Sequence, residues 1–298
     1  MCKIAVVTDS NSGISQKQAG DLGVFVVPMP VNIGDKTYYE GIDIDRHSFY
    51  RLLSQDVRIC TSQPLPGHIT MLWDDLLKNY EEIIYIPMSS SLSKSYETAV
   101  LLSVEYDKRV HVVNNQRISV TQRQSVLDAL EMVNMDFTGV EIKEVLEKDK
   151  SNASIYITLN TLEYLKKGGR LTPAVATIGT ILKIKPVLQI QGGLLDSFAK
   201  ARTMNSAKKI MFNALKEDAY TRFDGDNNDI LVQVAHTCED GQTEILKKEL
   251  QAIFPRHSIY MDHLPLSIAC HIGPGAFGLG CIKKLNLKSL KTVSELLI

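Results

Sequence analysis

The chain has 298 residues, of which 44% are hydrophobic and 22% are charged. These proportions are ordinary for a folded protein with a sizeable core, and they exclude a disordered or fibrous chain. The formal net charge of −1 reflects nearly equal numbers of basic and acidic residues, and no segment collects the Lys and Arg side chains that nucleic-acid binding requires.

The length favours two domains, because one domain usually contains about 100–200 residues. The first residues reach a charge too early for a signal peptide, and no apolar run is long enough to span a membrane. The five cysteines are widely separated and the seven histidines are scattered, without the spacing of a metal site. We therefore expect a cytoplasmic, two-domain protein that needs no metal ion or other cofactor.

The first half of the chain alternates short apolar runs with helical patterns, which predicts a mainly parallel sheet flanked by helices. Ser15 with Gln18 forms a capping-box pattern, and Pro66 suits the first position of a helix. Ser93 precedes a helical segment at 94–106. The predicted strands are Ile4–Val7, Val24–Val27, Ile83–Ile86 and Val110–Val113, with a hairpin of Pro30–Ile33 and Lys36–Tyr39.

The pattern changes near residue 153, which predicts one domain at residues 1–152 and a second at residues 153–298. Asn160 predicts the start of a helix that ends at the Gly168-Gly169 pair. A glycine pair at 192–193 lies between two apolar runs and predicts a hairpin, so we expect a mixed or antiparallel sheet with helices. The predicted strands are Ser154–Leu159, Ile184–Ile190, Leu194–Ala199, Ile230–Ala235, Ser258–Leu264 and Ala276–Ile282.

Four segments combine hydroxyl residues or glycine with a charged or imidazole side chain at predicted turns. Open α/β sheets bind ligands at such strand ends. The serines of segment 89–95 lie at a helix start, where hydroxyl and free backbone N–H groups suit a carboxylate or phosphate oxygen; simple N-capping is the other interpretation. The segments are Thr8-Asp9-Ser10, Thr61-Ser62-Gln63-Pro64, 89–95, and His271-Ile272-Gly273-Pro274-Gly275.

In their order along nearly the whole chain, six motifs resemble those of the DegV family, the fatty-acid-binding proteins of a fatty-acid kinase system. The resemblance implies a two-domain α/β fold of the DegV type. The motifs are Thr8-Asp9-Ser10; Thr61-Ser62-Gln63-Pro64 with Pro66-Gly67; Ser89-Ser90 with Leu92-Ser93; Leu165 with Gly168-Gly169-Arg170-Leu171; Ile184-Lys185-Pro186-Val187-Leu188; and His271 with Gly273-Pro274-Gly275.

The resemblance also implies a carrier without catalytic residues, not an enzyme. It would hold a long-chain fatty acid between its domains and present the carboxyl group to a separate fatty-acid kinase, which forms an acyl phosphate. Transient contact with a membrane surface would serve lipid exchange. The implied binding residues are Thr61, Ser62 and Ser93 at the carboxyl end, His271 and Gly273 beside it, and Arg170 and Arg202 at the opening.

The chemistry of these residues agrees with that role. Hydroxyl groups can hydrogen-bond a carboxyl group without burying an ion pair, which is costly. For the tail, about 0.8 kcal/mol per buried CH₂ gives on the order of 12 kcal/mol for about fifteen methylenes, before ordering costs. Segment 174–182 alternates small and branched residues, so Ile178, Ile181 and Leu182 are candidate tunnel lining; an ordinary core helix is the other interpretation.

Three residues depart from the family pattern. Lys94 stands where a glycine is common, and Gln122 and Gln124 replace small residues that often follow Ser119. The preferred length and unsaturation of the acyl chain therefore cannot be transferred from relatives.

A serine esterase is the alternative from another functional class. Ser93, His271 and Asp9 could supply nucleophile, base and orienting acid, but the chain has no Gly-x-Ser-x-Gly motif. The glycines at 273–278 fit a dinucleotide fingerprint only formally, because too few residues follow for a βαβ unit.

Overall fold

The computed structural model describes residues 3–55, 57–176, 184–223 and 229–295. Strands and helices alternate in the first half of the chain. Its strands are β1 (Ile4–Asp9), β2 (Phe25–Val27), β3 (Pro30–Ile33), β4 (Lys36–Tyr39), β5 (Ile59–Thr61), β6 (Glu82–Ile86) and β7 (Val110–Val112). Its α-helices are α1 (Gln16–Leu22), α2 (Arg46–Leu53), α3 (Pro66–Leu76), α4 (Ser95–Ser103), α5 (Val120–Asn134) and α6 (Gly139–Lys148).

The second half is richer in long strands. They are β8 (Ala153–Thr158), β9 (Lys185–Gln191), β10 (Leu194–Ala201), β11 (Ile230–His236), β12 (Ile259–His263) and β13 (Phe277–Lys283). The α-helices are α7 (Glu163–Lys167), α8 (Pro173–Ala176), α9 (Met204–Glu217), α10 (Asp240–Ile253), α11 (Leu266–Ile272) and α12 (Leu287–Glu295).

A four-stranded parallel sheet of order β2-β1-β6-β7 forms the centre of the first half, as the sequence predicts. All six residues of β1 are buried, because helices cover both faces of the sheet. Leu287 of α12 joins the apolar cluster on one face, so the end of the described chain packs against this sheet.

A small antiparallel sheet of order β4-β3-β5 lies beside it. The predicted hairpin of β3 and β4 is confirmed, with Gly34 at φ 59° in its turn. Val31 and Thr61 are register partners in β3 and β5, so both side chains point to the same face. That face packs against α11, which brings Thr61 towards the second half of the chain.

The second half forms a six-stranded sheet of order β10-β9-β8-β13-β11-β12. Only the β11–β12 pair is parallel among these described strands, so the predicted mixed sheet and its β9–β10 hairpin are confirmed. One face packs against α9 and α10 in a large apolar core, and the other faces the first half of the chain.

The predicted helix starts have different outcomes. Ser15 forms the capping box with Gln18, and Pro66 is at the start of α3. The predicted start at Asn160 is wrong, because its amide group is used elsewhere: Nδ2 donates to the Pro274 carbonyl, and Oδ1 accepts from Lys185. The helix begins at Glu163 instead.

No helix in the described ranges is both long and apolar enough to cross a bilayer. The division at residue 152 stays a prediction.

Candidate ligand-binding site

A cavity lies between the inner face of the six-stranded sheet and loops of the first half of the chain. It is bordered by the loops after β1, β5 and β6, the start of α5, one face of α11, and the inner face of the six-stranded sheet. The cavity has a volume of about 110 Å³, several times the space that one buried water needs. Its apolar lining includes Met29, Met88, Leu92, Ile118, Val120, Ile155, Ile157, Leu165, Ile190, Leu195, Ala235, Leu264, Ile268 and Ile272.

Glycines of β13 form the floor of the cavity. Gly278 is the register partner of Ile157 on one side and Ala235 on the other, and Gly280 is the partner of Ile155. A side chain at Gly278 would begin 3.7 Å from its nearest neighbours, and one at Gly280 would begin 3.4 Å from Val120. Because Gly278 and Gly280 carry no side chain, space remains between the isoleucine side chains of β8 and the side chains of β11. The methyl group of an alanine would fill part of that space.

A hydrogen bond joins the two halves of the chain at the polar side of the cavity. The Thr61 hydroxyl lies 2.8 Å from Nε2 of His271, and both residues line the cavity. Nδ1 of His271 is buried without a partner among the described residues and faces Gly168. Any side chain at position 168 would collide with the imidazole ring, so Gly168 is required for this placement of His271.

The imidazole of His271 is neutral at physiological pH. Burial, together with the nearby positive charge of Arg170, lowers the pKa of His271 to about 4. A neutral imidazole can donate one hydrogen bond and accept another without placing a second positive charge in the cavity.

Hydroxyl and amide groups continue the polar side. Ser62 and Ser93 also line the cavity, and the Ser93 hydroxyl lies 2.7 Å from the Ser95 hydroxyl. The Thr98 hydroxyl donates to Oε1 of Gln63, which also lines the cavity. Gln63 is a polar lining residue that the sequence analysis did not select, although it belongs to the Thr61–Pro64 motif.

The three remaining predicted residues lie in different places. Arg170 lines the cavity at an exposed position and donates from Nε to the Leu92 carbonyl, which ties it to the serine-rich loop. Arg202 is exposed between β10 and α9 and is not among the lining residues. Gly273 ends α11 at φ 77°, and Tyr164 occupies the space that its side chain would need.

His271 lies in the last turn of α11, directly before the turn at Gly273 and Gly275 beside which the sequence predicts it. No helix was predicted there, because α11 is short and mostly buried and therefore shows no amphipathic period. The predicted tunnel residues Ile178, Ile181 and Leu182 lie outside the described residues.

A second group of polar residues also lines the cavity and was not predicted. Asn11, Ser119 and Ser267 are all buried, and Ser267 donates to Oδ1 of Asn11 across 2.7 Å. Asn11 lies two residues after the end of β1, and its position next to the Thr8-Asp9-Ser10 motif is the one feature of the sequence that points to it.

One of the three residues that depart from the family pattern, Gln122, supports the loops behind the cavity. Nε2 of the buried Gln122 donates to Thr8 and Asp9, and Asp9 also accepts from the backbone N–H groups of Asn11 and Met88. Burial raises the pKa of Asp9, against these hydrogen bonds. Gln124 binds Asp128, and Lys94 is an exposed partner of Glu97, so neither lies in the cavity lining.

The residues proposed for a hydrolase do not form a triad. His271 pairs with Thr61 through Nε2, Ser93 pairs with Ser95, and the Asp9 hydrogen bonds go to the groups behind the cavity. An activated serine requires a direct bond to the base and a second bond from the base to the acid. This geometry does not support the esterase alternative.

Comparisons with known proteins agree on one family. The sequence model of the family described as "Uncharacterised protein, DegV family" matches residues 3–284. A DegV domain-containing protein of Staphylococcus aureus is 30% identical over 284 residues, which cover 95% of this chain and 100% of the relative. Protein DegV of Bacillus subtilis is 30% identical over 280 residues, which cover 93% of this chain and 98% of the relative.

Solved structures show the same fold. The structure of DegV from Bacillus subtilis, described as a fatty acid binding protein, has a TM-score of 0.85 at 28% identity, covering 95% of this chain and 100% of that one. A DegV family protein from Thermus thermophilus, described by its fatty acid binding, has a TM-score of 0.85 at 27% identity, with coverage of 95% and 100%.

Proposed function

Because the chain belongs to the DegV family, we propose that it binds a long-chain fatty acid in this cavity and presents the carboxyl group to a separate kinase. The observation that carries the proposal is the uneven polarity of the cavity. Hydroxyl, amide and imidazole groups gather around Thr61 and His271, while side chains of the six-stranded sheet and of the neighbouring helices and loops make the remainder largely apolar. A molecule with one polar end and a long alkyl tail fits that division.

The polar side suits a carboxylate head. With its proton on Nε2, His271 donates to Thr61 Oγ1, and the Thr61 hydroxyl is then free to donate to the ligand. Ser62, Ser93 and the amide nitrogen of Gln63 are further neutral donors at the same side. A carboxylate held by such groups, with Arg170 near it at an exposed position, avoids burying a full ion pair.

The apolar side supplies the affinity. Each methylene that leaves water contributes about 0.8 kcal/mol, so a long tail outweighs the one or two hydrogen bonds of the head. The head therefore sets the direction in which the acid lies, and the tail sets how tightly it is held.

The second part of the proposal is that the carboxyl group is presented to a kinase. The kinase must reach the carboxyl group in order to form an acyl phosphate, and Arg170 at the mouth is placed to attract phosphate groups. We assign Arg202, an exposed cation outside the cavity, to contact with the kinase. Loading and unloading of the acid would occur in the cytoplasm during transient contact with a membrane surface.

Native mass spectrometry of protein purified from a bacterial host tests the binding proposal. The expected spectrum contains a species heavier than the chain by the mass of one fatty acid, which denaturing extraction then releases for identification. Thermal stabilisation by added palmitate or oleate is expected in protein from which the lipid has been removed. Protein that carries no lipid and is not stabilised by either acid contradicts the proposed function.

A further inference from the structure

Ser119 occupies a strained position at the start of α5. Its φ of 56° and ψ of −135° belong to a region that residues other than glycine rarely adopt. A serine before a helix ordinarily accepts a hydrogen bond from the first turn, but the Ser119 side chain makes no capping bond. In this conformation the Ser119 hydroxyl group does not cap the first turn of α5.

The Ser119 hydroxyl is available to the cavity. Ser119 lines the cavity, is only 5% exposed, and its hydroxyl has no hydrogen-bond partner within the part of the chain that the structure describes. Because Ser119 lines the cavity, its hydroxyl group is available to hydrogen-bond a molecule that occupies the cavity. In the first turn of α5, Gln122 and Arg123 donate their backbone N–H groups to the carbonyls of Ile118 and Ser119, which leaves those of Val120 and Thr121 beside the Ser119 hydroxyl.

Two further polar residues lie at the same place. Ser119 donates its backbone N–H to the Asn11 carbonyl across 3.0 Å, and the Asn11 side chain accepts from Ser267. Asn11 also directs its amide nitrogen to the sulfur of Met88 at 3.0 Å, a weak acceptor. We call Asn11, Ser119 and Ser267 the inner polar group.

The inner polar group is separate from the residues around Thr61. Ser267 and His271 both line the cavity from α11, four residues apart. Four residues of α-helix rise about 6 Å, so a ligand could contact both places only with two different atoms. An acyl chain whose carboxyl group lies at His271 would pass the inner polar group within its first several carbons.

The charges nearby indicate which chemical group fits. Asn11, Ser119 and Ser267 are uncharged, and the Asp9 carboxyl group lies directly behind Asn11, accepting from its backbone N–H at 3.0 Å. A second carboxylate or a phosphate at this place would face Asp9, whereas a hydroxyl group would not be repelled. A hydroxyl can also accept from Ser119 or the first turn of α5 and donate in return.

We propose that the inner polar group binds a hydroxyl group carried by the acyl chain near its carboxyl end, so that the cavity accepts hydroxylated long-chain fatty acids. This inference rests on the proposed fatty-acid binding and extends it to a ligand class.

Competition binding with three acids tests the inference. The probes are palmitate, palmitate with a hydroxyl group a few carbons from the carboxyl group, and palmitate with the hydroxyl at its methyl end. The wild-type protein is expected to bind the first hydroxy acid at least as tightly as palmitate and the second more weakly, because a hydroxyl without a partner is costly in an apolar cavity. Equal weakening of both hydroxy acids overturns the inference.

Two variants test whether Ser119 is responsible for the binding of the near-carboxyl hydroxyl group. Ser119→Gly removes the hydroxyl and adopts the local backbone conformation without strain, and Ser119→Ala removes it with the strain retained. In both, the affinity for the near-carboxyl hydroxy acid relative to palmitate is expected to fall about two- to twelve-fold. Ser103→Ala is the matched control, because the Ser103 hydroxyl donates to the Val100 carbonyl of its own helix and Ser103 does not line the cavity.

An unchanged affinity ratio in both Ser119 variants contradicts the inference. Palmitate binding by the wild-type protein is measured in the same experiment, so failure of the inference is distinguishable from failure of the proposed function. If palmitate binds but the affinity for the hydroxy acid relative to palmitate is the same in the Ser119 variants as in the wild type, only the role given to the inner polar group is wrong.

Discussion

The two sides of the cavity are built in different ways. Around Thr61 and His271, side chains from separate elements meet through hydrogen bonds, and one glycine, Gly168, makes the arrangement possible. The floor, by contrast, is a regular sheet, where glycines of β13 lie between larger side chains of β8 and β11. The polar side depends on precise contacts, whereas the floor depends on space that is left open.

This difference has an energetic consequence. A hydrogen bond of the polar side contributes about 0.5–1.5 kcal/mol net, and each methylene on the floor contributes about 0.8 kcal/mol. Changes that fill the floor should therefore weaken binding more than changes that remove a single hydroxyl.

The largest effect is expected from filling the floor with Gly278→Val. The first side-chain atom fits at ordinary contact distance, 3.7 Å from its neighbours, and the two methyl groups enter the space assigned to the tail. Displacing about two methylenes should weaken palmitate binding by about fifteenfold, measured by titration calorimetry. Gly20→Val, at an exposed and open site on α1, is the control. Unchanged affinity in Gly278→Val would place the tail elsewhere.

A smaller effect is expected from the polar side. Thr61→Ala and Ser93→Ala each remove one proposed hydrogen bond to the carboxyl group, so each should weaken palmitate binding by about two- to twelve-fold. Thr70→Ala provides a control, because its hydroxyl bonds within α3 to the Gly67 carbonyl. A double variant with wild-type affinity would show that the head group lies away from these residues.

The smallest effect on binding is expected from Arg202→Ala. Arg202 is exposed and does not line the cavity, so its loss should leave the fatty-acid content of the purified protein unchanged. The rate of acyl-phosphate formation with a cognate kinase and ATP should nevertheless fall, and Arg202→Lys should restore it only partly. Arg170→Ala should also slow this step, although it loses the contact with the Leu92 carbonyl as well. If both alanine variants form acyl phosphate at the wild-type rate, neither arginine takes part in presenting the fatty acid to the kinase.

Sequence patterns predicted the fold well where local chemistry decides it. The alternation of apolar runs, the capping box at Ser15 and the glycine pair between β9 and β10 each depend on neighbouring residues, and each is present in the structure. The start of α7 was misassigned because Asn160 bonds to Pro274, which is distant in sequence. No local pattern contains that information.

The same difference between local motifs and long-range contacts explains which residues of the candidate site could be predicted. Five predicted residues, Thr61, Ser62, Ser93, Arg170 and His271, line one cavity, because they belong to motifs with recognisable residue types. Asn11 and Ser267 were missed, because their importance comes from a hydrogen bond between residues far apart in the chain. Ser119 was noticed only as a family position, because its backbone angles cannot be read from the sequence.

The central claim is that one acyl chain lies with its carboxyl group at Thr61 and His271 and its tail over the β13 glycines. A crystal structure with palmitate carrying a bromine atom at the methyl end tests it directly, because anomalous scattering locates the bromine. The account predicts a single bromine peak inside the cavity, on the apolar side away from Thr61, with the carboxyl group within hydrogen-bonding distance of the Thr61 hydroxyl. A bromine peak beside Thr61 and His271, or one outside the cavity, would contradict it.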